Sequence, residues 1–362
     1  MKILALSTWY PFPPDNGSKI RAYYLLSELS RAHEVALIAF NPDGTSPADR
    51  ALPLSEAIVV QVDPFRHVRA PQIVKYASPI PLAFWPSGEM QAQVRRLIER
   101  EHWDAIVAIQ TPVGRYALQA AHTPRIIDVD TAFSYQMWER YHSRSDPRTW
   151  LSWQKTRRYE ARLFQQFDAL TVVAAHEVEF MTTVLGCRGS VQVIANGVDC
   201  DINRPGMYPR VPGRLIYNGA LTYGANYDAM QFFLKDIYPA IRQARPDVTL
   251  AITGSTKNVN TADLALDSSV TLTGYVDDVR GLVGGSDVAV IPLRQGAGTR
   301  LKILEAMALG VPVVATSKGA EGLQVRHGEH LLIADEPRDF AAQTLRVLND
   351  ATLRRALTAE AR

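Results

Sequence analysis

Residues 296–316 read GAGTRLKILEAMALGVPVVAT, which sets Arg300, Lys302 and Glu305 beside two closely spaced glycines, Gly296 and Gly298. The run before them, VAVIPLR, is apolar and β-branched, and RLKILEAMALG keeps a helical period up to Gly310, so the glycines stand in a strand-to-helix turn. Such a turn presents backbone N–H groups at the positive end of a helix dipole, and glycine lets a ligand approach the main chain. That is an anion site of the diphosphate-binding kind, with Gly298, Thr299, Arg300 and Lys302 as its donors. Glu305, about a turn and a half into the helix, carries an acceptor-only carboxylate suited to the paired hydroxyls of a ribose. The plainer alternative is a solvated i,i+3 pair of Lys302 with Glu305. It accounts for neither glycine and leaves two cations at the positive end of a dipole, so anion binding is the better reading.

What must hold this turn is an alternation of short β-rich runs with helical patterns. In the first half the runs are KILALST, HEVALIAF, AIVVQV, DAIVAIQ, PRIIDVD, ALTVVAA and VQVIANG; in the second they are RLIYNGA, TLAITGS, VTLTGYV, VAVIPLR, VPVVATS and HLLIAD. Helical patterns cover 20–31 and 89–100, among others. Near-continuous apolar strands alternating with helices predict an α/β protein of two Rossmann-like, doubly wound domains. Residues 196–213, NGVDCDINRPGMYPRVPG, have neither period and read as a linker. The expected domains are therefore 1–205 and 206–345, followed by a C-terminal helix at 346–362. The pattern of ATLRRALTAEAR runs out without a cap or stop, so that helix is expected to be truncated or to end in a disordered tail. Two such domains face each other across a cleft at the carboxyl ends of their sheets, where ligands of these folds bind.

Composition agrees. The chain has 362 residues, 47% of them hydrophobic, which suits two domains of roughly 100–200 residues each. A net charge of +2 gives no footing for a nucleic acid partner or for a strongly anionic membrane. Cys187 and Cys200 are the only cysteines, too few for a disulfide framework or a four-ligand zinc site, and a reducing cytoplasm is the default. MKILALS resembles the start of a signal, but TWYPFPPDNG follows at once, and no run approaches the ~20 apolar residues of a membrane span. The expectation is a cytoplasmic chain, or a peripheral one at the inner face of the membrane. Residues 65–87, FRHVRAPQIVKYASPIPLAFWPS, mix basic, aromatic and proline residues; they suit either a membrane-resting surface or an irregular loop.

GTRLKILEAMALGVPVVATSKGAEGL resembles the nucleotide-sugar site of retaining glycosyltransferases of the GT-B fold, specifically glycosyltransferase family 4. STWYPFPPDNGSKIR is similar to that family's first loop, IANGVD to its inter-domain signature, and VTLTGYVDDVRGLVGGSDVAVIPL to its base-binding segment, so the likeness spans almost the whole chain. It implies transfer of a sugar from a nucleotide-sugar donor to a hydroxyl of a glycan or lipid-linked acceptor, with retention and with neither metal nor separate cofactor. On this resemblance Gly17 lies near the donor phosphate or sugar, Glu305 holds the ribose, and the backbone of Tyr275 and Val276 reads the base. UDP and GDP carriers stay equally open. Lys19 and Arg21 would be solvated or face the acceptor.

The chain also departs from that pattern. Two glutamates eight positions apart frame the family's glycine turn; Glu305 matches the second, and the first falls on Ala297. Ala220 stands where an arginine is common after the first strand of the second domain. Arg300 and Lys302 match a branch that reads Gly-Thr-Arg-x-Lys, and we take them to replace the missing charge. Cations there would stabilise the leaving nucleoside diphosphate as the sugar–phosphate bond breaks. Asn226 and Asp228, in YGANYDAM, either cap the next helix or touch the donor, capping being the expectation, and Asp277 and Asp278 are read as caps too. Where relatives carry a histidine at a strand tip, this chain offers Gln110, Asp128 and Asp130. Asp130 is the candidate general base or acceptor-orienting group, with a helix cap as its alternative, and His176 is read as structural.

Two other functions compete with this one. The first strand leads to STWYPFPPDNGS and not to a Gly-x-Gly-x-x-Gly fingerprint, which disfavours a dinucleotide-dependent oxidoreductase. A catalytically silent nucleotide-sugar-binding scaffold is kept in view by Ala297 and Ala220. The active reading expects Arg300→Ala to lower turnover far more than stability.

Overall fold

The computed structural model describes residues 1–42, 52–65, 68, 71–298 and 300–362. All the runs read as strands form strands. They are β1 (Lys2–Ser7), β2 (Glu34–Phe40), β3 (Glu56–Val60), β4 (Ala105–Ile109), β5 (Arg125–Asp130), β6 (Ala169–Val172) and β7 (Ser190–Val193) in the first half. The second half holds β8 (Arg214–Asn218), β9 (Thr249–Thr253), β10 (Val270–Gly274), β11 (Val288–Ile291), β12 (Val313–Ala315) and β13 (Leu332–Ile333). The first seven α-helices are α1 (Gly17–Ala32), α2 (Gln72–Ala77), α3 (Gly88–Arg100), α4 (Thr111–Ala117), α5 (Phe133–Arg144), α6 (Pro147–Phe164) and α7 (Ala175–Glu179). They are followed by α8 (Gly224–Phe232), α9 (Tyr238–Ala244), α10 (Arg280–Gly284), α11 (Leu301–Ala308), α12 (Pro337–Asn349) and α13 (Ala351–Glu360).

Helix starts follow local chemistry. The Asn16 side chain accepts from Lys19 N at the head of α1, Ser87 from Met90 N at α3, and Asp146 from Thr149 N at α6, with Pro147 at the first helical position. Each such cap satisfies an amide that the helix leaves without a partner, at about 1 kcal/mol.

The strands form two parallel sheets, ordered β3-β2-β1-β4-β5-β6-β7 and β10-β9-β8-β11-β12-β13. In β2 every residue after Glu34 is buried, and β11 is buried throughout, as strands covered on both faces must be. Side chains such as Leu37, Ile38 and Phe233 are fully withdrawn from water, each contributing roughly 1.5–3 kcal/mol. Both sheets reverse their order of strand addition once, between β1 and β4 in the first and between β8 and β11 in the second. The carboxyl ends of such a pair open a crevice, where open α/β sheets bind ligands.

The chain divides into two compact units, Met1–Ala195 and Asn196–Arg362, ten residues ahead of the expected boundary at 205. The reason is that the stretch read as a linker packs on the second unit. Val211 N donates to Gly285 O at 2.8 Å, Arg210 donates to Gly310 O, and Tyr208 rests on that unit's core. The expected tail at 346–362 likewise belongs to the second unit. It comprises the end of α12 and α13, whose first amides are capped by Asp350 and whose Leu357 is fully buried. Among the described residues no helix is long and apolar enough to cross a membrane.

Candidate functional site

In the second unit the strand-to-helix turn lies at the carboxyl end of β11, on one side of the switch between β8 and β11. Gly296 and Gly298 have φ of 109° and 86°, a region that side-chain-bearing residues avoid. Unlike α1, α3, α6 and α13, α11 has no side chain capping its amino end among the described residues. Its positive pole is therefore left to the turn and whatever binds there. Thr299 lies outside the described residues.

Arg300 is held within the turn. It is only 6% exposed. Its guanidinium donates to Gly296 O at 2.5 Å, Ala297 O at 3.0 Å and Lys318 O at 3.2–3.3 Å, and it stands 3.6 Å from a Glu321 carboxylate oxygen. Its donors are turned to main-chain carbonyls, so the side chain braces the glycine turn against residues 318–321.

Lys302 points the other way, toward β8 and α8. Its Nζ donates to the Tyr217 hydroxyl at 3.1 Å and to Asn226 Oδ1 at 2.9 Å, and it sits 4.3 Å from the centre of the Tyr217 ring. Tyr217 in turn donates to Asn226 Oδ1 at 2.7 Å. A Cβ on Gly219 would stand 2.7 Å from Lys302 Nζ, so the glycine after β8 is what admits the ammonium. Desolvation, and then the neighbouring Arg300, hold the Lys302 amine down at about 7, while burial pushes the Tyr217 phenol far up. Two of the three Lys302 protons are placed on these partners.

Asn226 does not cap α8, contrary to expectation. It is a buried residue inside that helix, and its Nδ2 donates to Ala220 O at 2.9 Å, fixing the loop after β8. Nor does Asp228 cap it: that carboxylate pairs with Arg294 at 2.6 and 3.1 Å, and Arg294 lies over the Phe232 ring. Among the described residues no side chain caps α8 at its cap position, Tyr223.

Glu305 accepts from Asn218 Nδ2 at 2.9 Å at the carboxyl end of β8, and burial raises its carboxyl. Tyr275, 58% exposed, and Val276 follow the last residue of β10, two strands from β8. Asp278 accepts from Arg280 N at the start of α10 and also pairs with its guanidinium.

The first unit has its own polar cluster at the switch between β1 and β4. Gly17 is the first residue of α1, directly after the capping Asn16. Gln110, directly after β4, and Asp130, the last residue of β5, have φ of 73° and 58°, a strained setting for non-glycine residues that clusters at functional sites. Gln110 Nε2 donates to Ser18 Oγ at 2.7 Å and to Asp130 Oδ2 at 3.4 Å. Burial and the Asp128 charge push the Asp130 carboxyl up to about 6. Asp130 does not cap the next helix. The amides of Phe133 and Ser134 at the head of α5 donate instead to Glu160, a fully buried residue of α6 that also accepts from Thr111 Oγ1.

Asp128 and Arg21 leave the candidate list together. They form a buried bidentate ion pair, at 2.8 and 2.5 Å, and Arg21 also donates to Ile194 O. Arg21 was expected to be solvated or to face the acceptor; a guanidinium pinned in this way positions α1 on the sheet. Lys19 pairs with Asp15 on the surface. His176 packs by the Tyr135 ring, in keeping with a structural residue. The segment 65–87 holds α2 and a short 3-10 turn, Leu82–Phe84; its residues 66, 67, 69 and 70 lie outside the described residues.

Sequence reasoning missed Tyr217, Asn218, Gly219, Glu160 and Glu177. Glu177 is buried, accepts from Thr131 Oγ1, and is raised by burial to about 7. The signals were slight: YNG at the end of an apolar strand, and one glutamate within the basic run KTRRYEAR. Among the described residues no group of three His, Cys, Asp or Glu side chains is placed to hold a metal ion.

Comparison with known proteins fits this arrangement. Residues 15–202 match the family described as Glycosyltransferase Family 4, and residues 212–350 the one described as Glycosyl transferases group 1. Over 135 residues the chain is 30% identical to an uncharacterized 44.6 kDa protein in the cps region of Klebsiella pneumoniae; the match spans 35% of each protein. Among solved structures, sucrose-phosphate synthase from Thermosynechococcus elongatus superposes with a TM-score of 0.72 at 16% identity, over 100% of this chain and 93% of that one. Anabaena HepE in complex with UDP gives 0.68 at 17%, again over 100% and 93%. WaaG, a glycosyltransferase involved in lipopolysaccharide biosynthesis, gives 0.67 at 15%, over 100% and 94%. At such identities the likeness establishes the fold, GT-B.

Proposed function

We propose a reaction for a chain that belongs to glycosyltransferase family 4: transfer of a sugar from a nucleotide-sugar donor to a hydroxyl of a glycan or glycolipid acceptor, with retention of anomeric configuration and without a metal ion. The carrying observation is the pairing of a positive-φ two-glycine turn at the amino end of α11 with the ammonium of Lys302, which reaches the neighbouring loop at Gly219.

In this reading the diphosphate lies at the turn of Gly298 and Thr299. The amino end of α11 and the third proton of Lys302 meet it, and Arg300 keeps the turn in shape. As the bond to the sugar lengthens, negative charge grows on the leaving phosphate, and donors already aimed there lower the barrier without reorganising. Glu305, oriented by Asn218, holds the ribose hydroxyls, and the backbone at Tyr275 and Val276 takes the base. In the first unit Gly17 allows the donor close to the main chain, and Asp130 orients the acceptor hydroxyl or takes its proton. The relative in a cps region and the neighbour involved in lipopolysaccharide biosynthesis support an acceptor from cell-envelope polysaccharide or glycoconjugate synthesis.

The test is a melting-temperature screen with UDP, GDP, ADP and dTDP, since a ligand bound only by the native state stabilises it by RT ln(1+[L]/Kd). UDP and UDP-glucose, which the Anabaena neighbour binds, head the panel. The diphosphate that raises the melting temperature then names the donor series for a transfer assay in EDTA. If none shifts the transition at millimolar concentration, the reading fails.

A further inference from the structure

Away from the polar cluster of the first unit, a cavity of about 470 Å³ opens between α4, the second half of α6 and residues 77–80. Four cations line it: Arg115, Lys155, Arg158 and Arg162. Among the described residues no aspartate or glutamate does. Arg158 and Arg162 are exposed, and Arg115, Arg158 and Arg162 make no ion pair among the described residues. The rest of the wall mixes apolar side chains, among them Ile80, Leu118, Leu151 and Leu163, with Ser78, Tyr159 and Gln166. In a chain of net charge +2 this is a local excess. α6 carries Arg148, Lys155, Arg157, Arg158 and Arg162 against one acid, Glu160, which is turned inward to α5.

Large apolar side chains stand in water beside this cavity. Ile73, 79% exposed, and Val74 belong to the same short helix as the lining residue Ala77. Leu82 follows Ile80 by two residues, and Trp150 adjoins Leu151. Exposed apolar residues grouped around a cationic recess mark an interaction site, and this combination matches an amphiphile with an anionic head.

We propose that this cavity binds the phosphate headgroup of an anionic lipid, with Ile73, Val74, Leu82 and Trp150 entering the adjoining hydrocarbon, so that the first unit docks on a membrane surface. The source is a lipid because a soluble phosphate ester gives those apolar side chains no partner. The inference does not rest on the glycine turn and Lys302, which lie in the other unit.

The test uses the full chain and sedimentation with vesicles of pure phosphatidylcholine or of phosphatidylcholine containing phosphatidylglycerol. Binding is expected to the anionic vesicles only, and to fall away between 50 and 500 mM salt as the Debye length shrinks from above ~10 Å to a few ångström. Arg158→Gln with Arg162→Gln, both on the surface, is expected to weaken it about thirtyfold, the loss for two cations near an anionic bilayer. The melting temperature and the response to nucleoside diphosphate should be unchanged. Ile73→Ser with Trp150→Ser should weaken it too while leaving the salt dependence in place. The proposal is overturned by equal binding to neutral vesicles, by no binding to anionic ones, or by displacement with millimolar inorganic phosphate, which would assign the cavity to a soluble ligand.

Discussion

Lys302 Nζ lies 2.7 Å from the point where a Cβ on Gly219 would stand, so one position's lack of a side chain fixes another's charge at the head of the β8–β11 crevice. The same Cβ would come 2.9 Å from Asn226 Nδ2, so a methyl there disturbs both partners. Gly219→Ala should displace the ammonium and weaken nucleoside diphosphate binding tenfold or more, the loss of one charge-assisted contact at roughly 1.5–3 kcal/mol. The fold should suffer less, because the end of a lysine side chain can move aside. Calorimetric titration set beside thermal melts checks this, and undiminished affinity would remove Lys302 from the anion site.

Lys302 also makes binding pH-dependent. Its amine titrates at about 7 against an ordinary value of 10.5. Between those values the unfolded chain keeps a proton that the free native protein has released. The group's contribution to stability is therefore present above pH 10.5 and is lost as pH falls through 7. A bound diphosphate restores the charge. Binding at pH 8 should then take up a proton, binding at pH 6 should not, and affinity should decline as pH rises above 7. Titrations in buffers of differing ionisation enthalpy measure the uptake, and Lys302→Met should abolish it.

Asp130 supplies the matching experiment in the first unit. Its carboxyl titrates at about 6 against an ordinary 3.8, so over that interval the native state holds a proton that the unfolded chain has lost. The associated stability is complete below pH 3.8 and disappears as pH rises through 6. Asp130→Asn imitates the protonated form. It should raise the melting temperature relative to the parent more at pH 8 than at pH 5, while lowering sugar transfer by about a hundredfold or more if the carboxylate acts as the base. Transfer at the parental rate would leave Asp130 a strained structural residue.

How far the sequence reaches can be judged from these same residues. Strand and helix positions were legible because burial on both faces of a parallel sheet writes itself as unbroken apolar runs, as in β2 and β11. The glycine turn was legible because positive φ demands glycine. Side-chain direction was not. Arg300 and Lys302 are two residues apart and carry the same charge, yet one turns back to the carbonyls of its own turn and the other crosses to β8 and α8. Asn226 and Asp228 have the composition of caps, but tertiary partners, Lys302 with Tyr217 for one and Arg294 for the other, outcompete the nearby amides. Glu160 was illegible for a related reason: its partners, Thr111 and the head of α5, are close only once α6 folds back along α5. Local spacing carries no record of such contacts.

The contrast between the two cations gives a final prediction, which revises the expectation drawn from the sequence. Arg300 is buried and donates to three main-chain carbonyls, so Arg300→Ala leaves acceptors without partners, at roughly 1–3 kcal/mol or more. It should lower the melting temperature by several degrees and weaken nucleoside diphosphate binding together with it, because the turn between Gly296 and Arg300 loses its brace. Lys302→Met should behave differently. It replaces a poorly solvated amine by an apolar chain of similar length, so stability near pH 7 should hold or rise, while diphosphate binding falls sharply. Melting curves and titrations on the two variants separate brace from ligand. If Arg300→Ala kept its parental melting temperature and lost only binding, the guanidinium would have to leave its carbonyls for the phosphate when the donor arrives.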